Sequence, residues 1–120
     1  MMDFGEVIRQ MVEGVEGGVA GTIMGRDGIA IQDYVREGMD YDVEAVGVEY
    51  GKVIEEIKRV AGTLNLGEVE EISIAGQGFT VTIRFINRDY FAILVVNNRR
   101  NLGKARYLLK KAVTKVRKEF

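Results

Sequence analysis

The residue types that most often carry out catalysis are scarce in this chain. It contains neither histidine nor cysteine, so the commonest general base, the commonest metal ligand and thiolate chemistry are missing. Ser73, the only serine, falls in a predicted strand with no base nearby, which gives nucleophilic catalysis no support. Asp40 and Asp42 could ligate a hard cation, but one pair lacks the roughly six or more oxygens that calcium takes, so Asp42 is better interpreted as a helix cap. The sequence predicts no catalytic residue and no metal site.

Glycine is abundant, with 15 residues in 120, and glycine-rich loops often hold phosphate groups. The chain has no GxxxxGK[ST] motif, however, and Gly76-Gln77-Gly78 lies between two predicted strands with no helix after it. The sequence therefore predicts no nucleotide-binding loop and no cofactor.

The segment from residue 70 to residue 96 is predicted to form three antiparallel strands, and it determines the layers of the fold. Gly76-Gln77-Gly78 and Asn87-Arg88-Asp89 supply its two turns. The third strand, Tyr90–Val96, is apolar on both faces and must therefore be covered on both. The middle strand alternates, with four apolar residues on one face: Phe79, Val81, Ile83 and Phe85.

The remaining segments are predicted to add two strands and three helices. Asp3 and Glu6 resemble a capping box before a first amphipathic helix, and Asp27-Gly28 between two apolar runs predicts a hairpin. The predicted bounds are residues 4–16 for the first helix, Val19–Met24 and Ile29–Tyr34 for the hairpin, a middle helix capped by Asp42, and a last helix from Leu102 to about Phe120 capped by Asn101.

The middle helix carries an apolar stripe and two glycines one turn apart, Gly47 and Gly51. A glycine inside a helix costs up to ~1 kcal/mol relative to alanine, so these two predict the close approach of another backbone. That backbone is either the chain's own sheet or a second copy of the helix. The stripe consists of Val46, Tyr50, Val53, Ile57, Val60 and Leu64, widened by Val43, Ile54 and Ala61.

Charge is distributed unevenly along the chain. Residues 1–96 carry 8 Lys or Arg and 17 Asp or Glu, whereas residues 97–120 carry 9 Lys or Arg and 1 acid. The simplest explanation is a basic last helix whose cations suit its own dipole and its acidic neighbours. Binding of nucleic acid or of an anionic membrane through this helix is the alternative. Tyr107 is its only aromatic residue before the terminal Phe120, so no nucleic-acid partner is expected.

Length and hydropathy predict a single domain, residues 1–120. No apolar run is long enough to span a bilayer and no signal segment begins the chain. Together with the lack of cysteine, this predicts a cytoplasmic protein.

The order of elements and several local sequences resemble the roadblock/dynein light chain family over nearly the whole chain. The first hairpin, Gly18–Ile31 with its Asp27-Gly28 turn, carries one part of the resemblance. The most specific part is the junction of last strand, polar loop and helix at Asn101-Leu102-Gly103-Lys104-Ala105-Arg106. The chain departs from the family in its basic last helix and in Gly47 and Gly51, where the family often has alanine.

The resemblance implies an α+β fold in three α/β/α layers, with the element order helix-strand-strand-helix-strand-strand-strand-helix. The five-stranded antiparallel sheet would have the order 2-1-5-4-3, with the middle helix on one face and the other two helices opposite. It also implies a homodimer formed through the third strand, and a non-enzymatic role in binding and regulating a small Ras-like GTPase. A structural adaptor of a motor or polarity complex, without effect on GTP turnover, is the alternative.

The site residues follow from this implied assembly. A GTPase is predicted to dock on the outer face of the middle helix, with the basic last helix as the alternative face. Three loop arginines, Arg26, Arg99 and Arg100, are candidates for insertion into the active site of a GTPase, and none is preferred. The predicted dimer contact consists of Glu71, Ile72, Ser73, Ile74, Ala75, Gly47, Gly51, Ile54 and Lys58, and the candidate partner-binding residues are Val48, Lys52, Glu55 and Arg59.

Overall fold

Three α-helices and five strands make up the part of the chain that the computed structural model describes, residues 2–97 and 101–120. They are α1 (Phe4–Glu13), β1 (Gly18–Gly25), β2 (Ala30–Val35), α2 (Val43–Thr63), β3 (Glu71–Ala75), β4 (Thr80–Phe85), β5 (Tyr90–Val96) and α3 (Leu102–Val116), followed by a 3-10 turn at Arg117–Glu119. The strands form one antiparallel sheet in the order β2-β1-β5-β4-β3. The predicted fold class, element order and strand order are confirmed.

Two of the three predicted helix caps form. The Asp3 carboxylate accepts a hydrogen bond from the Glu6 backbone N–H at 3.2 Å, and the Asp42 carboxylate accepts one from the Ala45 N–H at 3.0 Å. Asn101 occupies the cap position of α3, but its side-chain amide instead donates to the Glu16 carbonyl at 3.4 Å. Asn101 therefore connects the start of α3 to the loop between α1 and β1 and does not cap its own helix.

The central strand β5 divides the core into two layers, as its sequence predicts. Its residues from Phe91 to Val96 are all buried. Ala92, Leu94 and Val96 belong to the layer between the sheet and the helices α1 and α3. The residues between them belong to the layer beneath α2: Phe91, Ile93 and Val95.

The start of β4 differs from the prediction. The strand begins at Thr80, and Phe79 lies outside it with 41% of its surface exposed. The Phe79 ring packs against Tyr41, with 5.4 Å between ring centroids. Thr80 and Thr82 are fully covered on the α1 and α3 face, because β4 is enclosed by a helical layer on both sides. Alternation of residue type in this strand therefore does not mark an exposed face.

Candidate protein-interaction site

Helix α2 buries only part of its apolar stripe. Val43, Gly47, Ile54 and Ala61 face the sheet and are buried. On the adjacent side of the helix, Val53 is 49% exposed, Val60 41% and Leu64 61%. The apolar stripe that the sequence shows is therefore only partly packed on the sheet. The apolar sector of α2 is wider than the area that the sheet of one chain covers, so three of its nine residues, Val53, Val60 and Leu64, are exposed.

The third strand lies at an edge of the sheet. Within the described residues, β3 pairs on one side with β4, and its other side carries no strand. Ile72 and Ile74 are half-buried and pack at the margin of the core beneath α2, while Ser73 and Ala75 are exposed. This short strand contains no proline, so its free backbone groups can pair with another strand.

Glu71 begins this edge strand but does not present a free charge along it. Its carboxylate pairs with Arg84 of β4 at 3.3 Å and with Arg106 of α3 at 2.6 Å, and its side chain is 13% exposed. An edge glutamate can prevent strand pairing by repulsion. Here both arginines lie on the α3 face of the sheet. They hold the Glu71 carboxylate on that face and reduce its repulsion at the strand edge.

The two α2 glycines have different surroundings. A Cβ atom on Gly47 would come within 2.5 Å of Met24 Sδ, whereas one on Gly51 would meet no atom within 4 Å among the described residues. The close contact at Gly47 is therefore made with a side chain of the chain's own sheet and not with another backbone. Gly51 has no such requirement within one chain, so its predicted place in the dimer contact stays a prediction.

Two other residues of the predicted dimer contact already have partners within the chain. Ile54 is buried, with 3% of its surface exposed. Lys58 places its Nζ atom 4.4 Å from the centre of the Phe85 ring and donates to the Arg88 carbonyl at 3.3 Å. We therefore expect Ile54 to support α2 rather than to contact a second copy directly.

A groove of about 920 Å³ lies beside the C-terminal half of α2, between that helix and the turn joining β4 to β5. Gly62, Val69 and Phe85 are among the residues that line it. Two cations at its rim are already engaged, because Arg88 pairs with Glu68 at 3.2 Å and Arg117 donates to the Phe85 carbonyl at 3.0 Å. Gly62 is on the side of α2 away from Val53 and Val60, so the groove is separate from that exposed surface.

The candidate partner-binding residues lie on the outer side of α2, and three of them form ion pairs. Lys52 pairs with Glu49 at 3.2 Å. Arg59 donates to Glu56 at 3.1 Å, and Glu55 pairs with Arg26 at 3.4 Å. Glu55 and Arg59 are four residues apart on the helix but do not pair with each other. Arg59 pairs three residues back along the helix, which leaves Glu55 to reach the loop between β1 and β2.

Val48, the fourth candidate, is half-buried against the core beneath α2. Of the three loop arginines, Arg26 bridges Glu55 and Asp89, the latter at 3.6 Å. Arg99 and Arg100 lie outside the described residues. The structure therefore brings Arg26 and Glu55 together on the α2 face, a link that the sequence did not predict.

Two side chains near this surface have a pKa shifted from its ordinary value. The hydrogen bond from Arg59 lowers the pKa of the Glu56 carboxyl below its ordinary value. Burial raises the pKa of the Tyr41 hydroxyl, and the nearby Tyr50 raises it further. Among residues 2–97 and 101–120, no group of three or more acidic side chains is placed to hold a metal ion, and no helix is long and apolar enough to cross a membrane. The chemistry of the surface is thus that of apolar contact and surface ion pairs.

Known structures match this arrangement over the whole chain. MglC from Myxococcus xanthus is 32% identical, with 99% of this chain and 100% of that one covered and a TM-score of 0.70. The chain belongs to the roadblock/LC7 family. A Roadblock/LC7 domain from Streptomyces avermitilis has the same fold at 12% identity, covering 98% of each chain with a TM-score of 0.84. No protein-family profile matches the chain, and no curated sequence does.

A second roadblock/LC7 fold is that of the gliding protein MglB from Thermus thermophilus, at 13% identity and a TM-score of 0.81, with 100% of this chain and 95% of that one covered. The family predicted from the first hairpin and from Asn101-Leu102-Gly103-Lys104-Ala105-Arg106 is confirmed. The sequence did not predict that apolar residues of α2 would be exposed. The number of apolar positions on that helix, which exceeds what one helix face buries, could have indicated it.

Proposed function

We propose that this chain is a non-enzymatic, cytoplasmic protein-interaction module that forms a homodimer and regulates a small Ras-like GTPase. The observation that supports it is that one chain leaves two surfaces uncovered. These are the exposed α2 stripe of Val53, Val60 and Leu64 and the open edge of β3. A second copy related by a two-fold axis satisfies both at once, since strand pairs with strand and helix lies beside helix.

The β3 edge supports the strand-pairing part of this dimer. Ile72 and Ile74 face the α2 side of the sheet, so two paired copies would extend the apolar layer across the junction. Glu71 is neutralised by Arg84 and Arg106 and opposes the pairing less than an unpaired glutamate would. Met24 accounts for Gly47, so Gly47 is left out of the proposed contact. Gly51 lies about half a turn around α2 from Val53, Val60 and Leu64, so a helix contact through those three residues leaves it out as well.

The GTPase part of the proposal rests on membership of the roadblock/LC7 family and on the likeness to MglC. In the proposed dimer the two α2 helices lie near the two-fold axis, and their outer sides form one broad surface. Lys52, Glu55 and Arg59 would present their charges there, and Val48 would add an apolar contact. Ion pairs between exposed side chains contribute only roughly 0–1 kcal/mol each, so a partner can exchange them at small cost.

Analytical ultracentrifugation tests the dimer with two matched variants. Val60→Glu and Tyr107→Glu both place a carboxylate at an exposed hydrophobic position of a helix. Val60 lies in α2 and Tyr107 in α3, on opposite faces of the sheet. We expect a dimer at micromolar concentration that Val60→Glu weakens and Tyr107→Glu does not. A wild-type monomer at that concentration would contradict the proposal.

GTP hydrolysis by a Ras-like GTPase from the same organism, with and without this protein, tests the regulatory role. A change in turnover supports regulation, whereas binding without a change would identify a structural adaptor. Two pairs of charge reversals locate the docking face: Lys52→Glu with Arg59→Glu on α2, and Lys110→Glu with Lys111→Glu on α3. Loss of binding in the α2 pair alone supports the proposed face, and loss in the α3 pair alone contradicts it.

A further inference from the structure

Helix α3 carries cations that the other described residues do not neutralise. From Asn101 to Phe120 the chain has seven Lys or Arg and one acid. Arg106 pairs with Glu71, and Arg117 donates to the Ile86 carbonyl at 2.9 Å. The five lysines of this segment form no ion pair with any described residue, unlike Lys52 and Arg59 on α2. The acidic majority of the chain therefore does not explain them, contrary to the simplest interpretation of the sequence.

Four of these lysines form one stripe. Lys104, Lys111, Lys115 and Lys118 are seven, four and three residues apart, which places them on one side of a helix. The stripe extends for roughly 20 Å along the axis at 1.5 Å per residue. Tyr107, 62% exposed, lies about one helical turn from Lys104 and one turn from Lys111, between the two. A row of cations of this length fits an elongated anionic partner.

A shallow groove runs beside the middle of the stripe, between α1 and α3, with a volume of about 120 Å³. Val7 and Met11 of α1 and Leu108 of α3 give it an apolar floor, and Lys111 and Lys115 stand at its margin. The site combines a small apolar depression with two cations. It is complementary to an apolar side chain that is flanked by carboxylates.

We propose that the α1–α3 groove and its lysine stripe bind an acidic amphipathic segment of a partner protein. The segment would lie along α3, insert an apolar side chain between Val7 and Leu108, and place carboxylates on Lys111 and Lys115. The site is on the face of the sheet opposite α2, so it stays accessible in the proposed dimer and is independent of the GTPase role.

The distribution of charged residues on this face favours binding of a narrow peptide segment over binding of a membrane. The first sixteen residues, which contain α1, carry four acids and one arginine, and Glu13 and Glu16 are exposed. Because α1 packs beside α3, a flat anionic surface would meet these acids as well as the lysines. A single segment along α3 avoids them.

The test uses the full chain and a labelled helical peptide of about 15 residues, a length that matches the stripe at 1.5 Å per residue. Its glutamates flank one leucine, and control peptides replace either the glutamates by glutamine or the leucine by serine. Fluorescence anisotropy measures binding to wild type, to Lys111→Glu with Lys115→Glu, and to Lys52→Glu with Arg59→Glu. The last variant changes the net charge equally, on the opposite face.

We expect the α3 variant to bind about tenfold more weakly and the α2 variant to stay within about twofold of wild type. Both control peptides should bind more weakly than the parent, and amide shifts on adding peptide should cluster in α1 and α3. Equal losses in the two variants, or no difference between the leucine and serine peptides, would overturn the proposal. The proposal would also be overturned if the peptide did not bind while phosphatidylserine vesicles or duplex DNA did, and the α3 variant abolished that binding.

Discussion

Gly47 of α2 lies directly against Met24 of β1, where a Cβ atom would come within 2.5 Å of the Met24 Sδ. Met24 is fully buried, so α2 approaches the sheet closely at this point because residue 47 has no side chain. One turn later, an added Cβ on Gly51 has open space among the described residues. The two glycines look equivalent in sequence, but one is required for packing within the chain and the other is not.

Alanine at the two positions should therefore have different effects on stability. Both substitutions gain up to ~1 kcal/mol of helix propensity, so this term cancels between them. Gly47→Ala must also displace the end of the Met24 side chain in a packed core, which typically costs about 1–3 kcal/mol. Urea unfolding should show Gly47→Ala to be less stable than Gly51→Ala by about that amount. Equal stabilities would mean that Met24 moves aside freely.

Much of the fold could be predicted because local signals and burial agree. Asp3 and Asp42 precede amphipathic segments and cap them, and the strand Tyr90–Val96 is apolar on both faces and lies at the centre of the sheet. Asn101 has the same local signal as the two aspartates, yet it bonds to Glu16 instead. The contact that decides its role is distant in sequence, so no local pattern could show it.

The candidate site was less predictable, because it depends on which part of α2 the sheet covers. Val53, Val60 and Ile54 are alike in type and all belong to the predicted stripe, but only Ile54 is buried. Likewise, Arg59 has glutamates both three and four residues before it. In the folded chain Glu55 pairs with Arg26, and Arg59 pairs with Glu56.

The Asp42 cap can be separated from a cation site by comparison with its neighbour Asp40. Asp42 accepts the Ala45 N–H at 3.0 Å, and replacing such a cap by alanine typically costs about 1 kcal/mol. We expect Asp42→Ala to lower the free energy of unfolding by that amount, and the exposed Asp40→Ala to leave it nearly unchanged. Calcium should alter neither result. A calcium-dependent stability that either substitution removes would restore the cation interpretation.

Acid should weaken a contact between α1 and β2. The hydrogen bond from the Tyr34 hydroxyl is the main reason that the pKa of the Glu13 carboxyl lies below its ordinary value of 4.5, and Arg9 lowers it further. Because the folded state lowers this pKa, the stabilisation is present above pH 4.5 and is lost as pH falls through the folded-state pKa.

Tyr34→Phe removes that hydrogen bond and keeps the ring. The pKa of Glu13 should rise toward 4.5, and the variant should lose less stability than wild type between pH 4.5 and more acidic conditions. Carboxyl NMR titration of Glu13 measures the first effect, and urea unfolding at several pH values measures the second. An unchanged Glu13 pKa would show that the nearby arginines, Arg9 and Arg36, are responsible for the shift.

Glu71 pairs with two arginines of very different exposure, and the two pairs should contribute unequally to stability. The Arg84 side chain is 16% exposed and the Arg106 side chain 56%. An exposed pair contributes roughly 0.2–1 kcal/mol, whereas a mostly buried charge left without its partner costs about 1–3 kcal/mol. Double-mutant cycles by urea unfolding should therefore give a larger coupling for Glu71 with Arg84 than with Arg106.

The same residue should control the order of the edge strand. Glu71 begins β3 and joins it to β4 and to α3, so its loss should release the strand that the proposed dimer uses. In Glu71→Gln, the amide still hydrogen-bonds but carries no charge, and hydrogen exchange at Ile72 and Ile74 should quicken while exchange in β5 stays slow. If both strands lose protection together, Glu71 supports the whole sheet and does not act on its edge.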